Sequence, residues 1–532
     1  MQRNKPLILV SLLLAAFVIN LDTTIVNVAL PTLVRELHAS NTQLQWIVDA
    51  YNLVFAALLL SAGSLSDRLG RKGMLLGGLA VFGLASAAGG LTTSTGALIA
   101  ARCVMGLGAA MVFPSTLSLI SNIYTERGER ARAIGLWGAT GGIAIALGPI
   151  VGGWLLAHFD WSSIFFAMTP VAALAALLVA LGVPTSRDPG APALDRAGFG
   201  LSAAAMALLI FTIIEAPEHG WGSARTLAGF AAAALLLGTF IAWERRTSSP
   251  MLDVRLFANP RFTAASGSVT VAFFSLFGFI FLMTQYFQFI KGYDPLSAGV
   301  HLLPVATSVG VASVLGTKLA VRFGTKLIVT LGLVMVAAFY AWVTTASATT
   351  PYSVIAAQMV LYGVGMGLTS APATEAIMGA VPRAKAGVGS AVNDATRLLG
   401  GTLGVAVIGS VYASLFASRL VASLPHRLPG GLVHTARASV GSAFAVAERL
   451  SASAPGAGLA VRNAATHSFL HGFSAGCVVA GAVAAAGAVM AALLLPSQPA
   501  SPVAAEAGAC VEADPAPEQL APVARPALGT RS

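Results

Sequence analysis

Two ionisable residues stand inside apolar runs of this chain, where their chemistry is constrained most. Asp22 lies in LDTTIVNVALP and Arg102 in ARCVMGLGAAMVFP. A carboxylate at the centre of a membrane helix costs ~2.5–3.5 kcal/mol on insertion scales, so it takes up a proton or finds a cation. Asp22 reads either as a proton carrier or as a capping and packing residue ahead of Asn27 and Pro31. Arg102, about six residues into its run, reads either as a buried cation beside such an acid or as an arginine whose head snorkels to the interface.

Other polar residues share these greasy surroundings. Asp49 reads as an acid that faces a substrate, and Glu375 as a group near a membrane surface. Asp394 and Arg397 are three apart on one helix face, the spacing of a local ion pair, with substrate binding as the other use for Asp394. Phe273, Phe277 and Phe281 recur at helical spacing, with Gln285 and Gln288 beyond them. That stripe suits lipid or a neighbouring helix, and it also suits a lipophilic or cationic guest, which makes the two glutamines candidate pocket residues.

Charge is concentrated instead in GSLSDRLGRKG, residues 63–73, where Asp67, Arg68, Arg71 and Lys72 separate two apolar runs. The cations fit a hairpin held at a membrane surface. Gly63 would permit close approach of a neighbour, Gly70 a sharp turn, and Asp67 an ion pair across the turn.

These residues have to be positioned by helices in a bilayer. The 532 residues are 56% hydrophobic and 10% charged, with a mean hydropathy of +0.80, far from soluble usage. A hydrocarbon core needs about 20 apolar residues per helix. Such runs lie near 7–30, 44–64, 73–91, 97–123, 133–157, 162–183, 199–215, 225–243, 263–290, 298–320, 327–346, 352–379, 387–415 and 469–495. Fourteen spans put both termini on one side. About 20 of the 31 Lys and Arg then fall on the terminal side, and five of the others lie in the long external loop 416–467. The excess of positive charge assigns the terminal side to the cytoplasm.

The net charge of +10 is spread over many loops, so no nucleic-acid partner is expected. Cys103, Cys477 and Cys510 have neither metal nor disulfide spacing. No phosphate-binding GxxxxGK[ST] loop, His–Asp pair or metal cluster appears in the spans, which argues against an ATP-driven pump or a membrane enzyme.

The chain also repeats itself. RLGRK at 68–72 returns as RFGTK at 322–326, and MGLGAAM at 105–111 as YGVGMGL at 362–368, with offsets of 254 and 257 residues. Paired halves of this kind are the trace of alternating-access transporters. Val321 replaces the acid of the first copy.

GxLxDRxGRK between the second and third spans resembles the loop signature of the major facilitator superfamily, and fourteen spans resemble its drug:proton antiporter branch. LDTTIVNVALP, ARCVMGLGAAMVFP and GATGGIAIALGPIVGG (138–153) resemble the first-, fourth- and fifth-span motifs of that branch. The resemblance implies an all-α membrane fold of two pseudo-symmetric six-helix bundles, 1–183 and 263–495. Linkers and two extra helices occupy 184–262. Outside the resemblance, 496–532, with repeated Pro and Ala and few aromatics, is expected to form a disordered cytoplasmic tail. The resemblance also implies proton coupling by Asp22 and Arg102, and gating by Gly63, Asp67, Arg68, Gly70, Arg71, Lys72, Gly138, Gly142, Gly148, Pro149, Gly152 and Gly153. Small-xxx-small spacing among those last glycines lets helices cross closely, while Pro149 invites a bend.

The function this implies is proton-coupled export of lipophilic small molecules, drugs or antibiotics. A dedicated exporter of one self-made metabolite and a transport-dead sensor of the same fold are the alternatives. The expected partners are a small-molecule substrate and the lipid bilayer of a bacterial inner membrane, and the expected state is a monomer. No cofactor is expected other than the proton as coupling ion.

Overall fold

A computed structural model of the chain describes residues 5–187, 195–247, 250, 252, 254–381, 386–425 and 428–496. Apart from Pro496, the tail lies outside the described residues, as does Cys510. The first half contains α1 (Lys5–Leu37), α2 (Asn41–Leu69), α3 (Arg71–Gly90), α4 (Thr95–Ile123), α5 (Arg127–His158) and α6 (Ser163–Gly182). An inserted pair follows, α7 (Arg196–His219) and α8 (Ala224–Glu244). The second half contains α9 (Pro260–Gln285), α10 (Pro295–His301), α11 (Leu303–Phe323), α12 (Thr325–Val343), α13 (Tyr352–Gly379) and α14 (Ala386–Ser423). Two short helices, α15 (Gly430–Ala438) and α16 (Val440–Ser453), lead to the last span, α17 (Pro455–Leu494).

Among the described residues, thirteen helical segments are long and apolar enough to cross a membrane, with α10 and α11 counted as one, and α2, bent by 54° near residue 60, makes fourteen. The all-helical architecture agrees with the expectation from sequence. With an even number of crossings the start of α1 and the end of α17 lie on one face, the terminal face. The other is the opposite face.

The two halves pack alike. α1 lies on α5 and α6 as α9 lies on α14 and α17, and α4 touches α2 and α3 as α13 touches α11 and α12. The internal repeats are the contact points of this scheme. Gly106 of α4 meets the α2 backbone at Tyr51, and its counterpart Gly363 meets the α11 backbone at Val305. Gly108 meets α3 at Gly78 and Phe82, and Gly365 meets α12 at Gly332 and Val336. Close backbone approach of this kind substitutes for the hydrophobic driving force that lipid removes. Gly70 and Gly324, the glycines of the repeated turn, have φ of 120° and 89°. Both turns therefore need a residue free of the Cβ penalty.

The stretch 416–467, expected as a long Ala-rich external loop able to form short surface helices, is mostly helix. α14 continues to Ser423 and α17 starts at Pro455, while α15 and α16 fill the interval. Its alanines favour helix, and several of its apolar residues join the main core. α16 buries Val440, Ala443 and Val446, and its Gly441 abuts Val34 of α1 and Phe289 beyond α9. It thus covers the seam between the halves at the opposite face.

Candidate functional site

Asp22 sits midway along α1 and Arg102 lies in α4, and both side chains are 0% exposed. Arg102 Nη1 donates to Asp22 Oδ2 at 2.5 Å and Arg102 Nε donates to the Ile47 carbonyl at 2.9 Å. The guanidinium also lies 4.3 Å from the Tyr51 ring centroid. The Tyr51 hydroxyl donates to the Ile19 carbonyl at 3.0 Å, tying α2 to the turn before Asp22. Arg102 therefore does not snorkel, and Asp22 is no helix cap. The α4 glycines explain how so large a cation fits, because Gly106 draws α2 close enough for its Ile47 carbonyl and Tyr51 ring to receive Arg102. Asp22 Oδ1 and Arg102 Nη2 remain buried without a partner. An offset of 257 residues from Arg102 leads to Met359, so the second half has no counterpart of this ion pair.

A pocket of about 60 Å³, shared by both halves, reaches α1 at Asn20 and Thr23, on either side of Asp22 in the chain. Asn20, Thr23, Phe55, Phe113 and Ile145 line it from the first half, and Phe273, Phe277, Asp394, Arg397 and Leu398 from the second. Asp394 and Arg397 do not form the ion pair that their spacing suggests. Arg397 Nη2 donates to Thr374 Oγ1 of α13 at 3.1 Å instead, and its guanidinium lies 5.2 Å from the Phe273 centroid. Of the phenylalanine stripe, Phe273 and Phe277 reach the pocket, whereas Phe281 is buried in the core.

The two glutamines lie elsewhere. Gln285 donates to the Phe281 carbonyl of its own helix at 3.2 Å, and Gln288 donates across the halves to the Val28 carbonyl at 2.9 Å. Asp49 is fully buried, with both carboxylate oxygens unpartnered. It is not a pocket residue. It shares an α2 face with Thr42, Trp46 and Leu53. Thr42 and Trp46 bond Glu218 and Glu215 of α7, and Leu53 packs on Ile210. Glu375 is exposed.

The charged hairpin is anchored within the first half and the linker that follows it. Arg71 Nε donates to Asp67 Oδ1 at 2.6 Å, Arg71 Nη1 to Ser186 Oγ at 3.0 Å, and Lys72 Nζ to the Ala180 carbonyl at 2.8 Å. Ser118 of α4 adds a longer bond of 3.4 Å to Asp67. Gly63 is not a close-approach position, since a Cβ there would meet Pro114 at an ordinary 3.5 Å.

The glycines of α5 divide into two sets. Gly148 and Gly152 press against Thr24 and Ile25 of α1, Gly153 against Leu296, and the Pro149 carbonyl against Gly299. Thr24 Oγ1 also donates to the Ile145 carbonyl at 3.0 Å. Gly138 and Gly142, by contrast, would place a Cβ in open space. The expected close packing is absent there because the halves stand apart at that level. Among the described residues, the hydrogen bonds between the halves, Gln45–Ser410 and Gln288–Val28, both lie toward the opposite face. So do the cross-half glycine contacts of Gly153, Gly299, Gly409 and Gly441. The molecule is therefore sealed at the opposite face and cleft at the terminal face.

Sequence reasoning singled out Asp22 and Arg102 but missed Tyr51, Thr374 and Asn393. Polar residues at helical spacing on α13 and α14 were the available signal, but it takes the fold to show which of them meet.

Residues 12–405 match the family model described as Major Facilitator Superfamily. The chain is 35% identical over 429 residues to the multidrug resistance protein Stp of Mycobacterium tuberculosis, covering 81% of this chain and 80% of that one. It is 33% identical to the tetracenomycin C resistance and export protein of Streptomyces glaucescens, covering 92% of each. Among solved structures, an inward-facing bacterial homologue of the lysosomal transporter Spinster superposes with a TM-score of 0.67 at 17% identity, covering 94% of this chain and 100% of that one. Repeated halves, an even set of spans and a polar site at their seam thus have a common explanation: the chain belongs to the major facilitator superfamily.

Proposed function

We propose that this protein is a proton-coupled exporter of lipophilic small molecules in a bacterial inner membrane, with its terminal face in the cytoplasm and no enzymatic step. The observation that carries this reading is the wholly buried Asp22–Arg102 pair, with a pocket built from both halves that reaches α1 on either side of Asp22 in the chain. A carboxylate in such surroundings is held charged only by its partner, so a change in that partnership changes its hold on a proton. Cargo enters the cleft from the terminal face and settles against the pocket. As the halves rock, Asp22 meets the opposite side, takes up a proton, and releases it on return.

The surface charge supports the orientation, because the terminal face carries the Lys and Arg excess. The names of the relatives, multidrug resistance and antibiotic export, support the direction of transport. The tetracenomycin C exporter also favours a second reading, a dedicated exporter of one metabolite.

The deciding experiment uses everted membrane vesicles with a pre-formed proton gradient. Addition of cargo should release protons from the lumen, and Asp22→Asn should abolish the release. Transport that persists with a protonophore and requires ATP would overturn the reading.

A further inference from the structure

The pocket holds two opposite charges that make no hydrogen bond to one another. Thr374 stands between them. Its Oγ1 accepts from Arg397 at 3.1 Å and donates to Asn393 Oδ1 at 3.0 Å, and Asn393 Nδ2 makes a long 3.4 Å bond to Asp394 Oδ1. This neutral relay engages one side of each charged group and holds the two apart. Arg397 retains donors beyond that bond, with Nε buried and unpartnered, and both residues line the pocket. A guanidinium carries five N–H donors in a planar fork, and a carboxylate only accepts. Hydrogen-bonding capacity left unfilled in a low-dielectric site is costly, so a ligand that satisfies both groups gains more than it would in water.

Four phenylalanines dominate the remaining wall, with Asn20, Thr23, Ile145 and Leu398 completing it. Phe55, Phe113, Phe273 and Phe277 face the same space. Phe113 is stiffened by Trp137 at 4.8 Å and Phe55 at 5.6 Å between ring centroids. Ring faces and edges of this kind take flat π systems in stacked or edge-on contact. The pocket is narrow, about 60 Å³, which suits the edge of a flat molecule whose bulk lies in the cleft.

We propose that the cargo is a flat aromatic molecule bearing, side by side on one edge, an accepting oxygen read by Arg397 and a donating hydroxyl or amine read by Asp394. This rests on the reading of the pocket as the cargo site. A flat cation without donors gains from Asp394 but brings like charge against Arg397, which disfavours it.

The test measures binding to the full-length protein in nanodiscs, by calorimetry, with three probes. These are 2,3-dihydroxyanthraquinone, whose adjacent hydroxyls offer an accepting oxygen and a free donor on one edge, plain 9,10-anthraquinone, and methyl viologen, a flat dication without donors. The wild-type protein should bind the dihydroxy compound at least tenfold more tightly than either of the others. Arg397→Gln and Asp394→Asn should each erase that preference, and Arg397→Gln should leave viologen binding unchanged or tighter. Preferential binding of viologen, or equal binding of the two quinones, overturns the proposal on wild-type protein alone, whether or not the variants fold. Proton release separates this from the exporter reading. Selective binding without cargo-driven proton release removes the exporter and keeps the cargo class, and release driven by viologen but not by the hydroxyquinone does the reverse.

Discussion

Asp22→Asn should abolish the protein's ability to hold a gradient while leaving it able to exchange cargo. The size of the effect follows from the site. One carboxylate is paired with one guanidinium at the buried centre, and a single carboxylate as the carrier would move one proton per cycle. An elementary charge crossing about 100 mV yields ~2.3 kcal/mol, and at ~1.4 kcal/mol per tenfold this sustains a gradient of neutral cargo of ~50-fold. Asparagine keeps the shape and an oxygen that accepts from Arg102, but it cannot titrate. Removing one partner of a buried ion pair costs about 3–5 kcal/mol. Here the Ile47 carbonyl and the Tyr51 ring still hold the guanidinium, so the loss should fall at the low end and leave a folded protein. The assay is cargo accumulation in proteoliposomes under an imposed potential of about 100 mV, with counterflow as the control. The expected ratio is ~50 for wild type and unity for the variant, with counterflow retained. An Asp22→Asn variant that still holds a ~50-fold gradient would refute the assignment of the proton to this carboxylate.

Gly148→Leu and Gly138→Leu should separate stability from turnover. The first drives a side chain into Thr24 and Ile25 and should lower the melting temperature, whereas the second enters open space and should leave melting unchanged while slowing transport, because the cleft can no longer close over it. Gly70→Ala and Gly324→Ala should each destabilise by ~1–2 kcal/mol in denaturation measurements, the cost of a Cβ in the left-handed region, since both turns have positive φ. Gly63→Ala should change stability by less than about 0.5 kcal/mol, because its Cβ would make only an ordinary contact with Pro114. Gln288→Ala removes one of the bonds between the halves at the opposite face, and spin-label distances across that face should lengthen in a larger fraction of molecules.

Much of the fold was legible because lipid enforces it. Runs of about 20 apolar residues can only be helices in hydrocarbon, and the paired RLGRK and RFGTK turns betrayed the duplication through glycines that their φ angles require. The site was legible residue by residue but not as an arrangement. Asp22 and Arg102 are 80 residues apart, and only the packing of α2 between them supplies the carbonyl and ring that complete their shell. Local spacing misled at Asp394 and Arg397, where the hydroxyl of Thr374 on another helix intercepts the guanidinium. It misled again at Gly138 and Gly142, whose spacing implies a neighbour that is absent while the terminal face is open. Asp49 was read as facing cargo; its α2 face lies between α14, which Gln45 reaches at Ser410, and α7, which Trp46 reaches at Glu215. Periodicity marks the face, but it does not name the neighbour.

The lack of an Arg102 counterpart at Met359 has a wider consequence. On the proposed reading the duplicated halves divide the work, one as the engine and the other as the reader: the pair assigned to energy conversion belongs to α1 and α4, while the pocket's charges belong to α14. Selection can therefore redraw what the second half admits while the machinery of the first stays as it is, and a bundle of this design can acquire new clientele without relearning how to be driven.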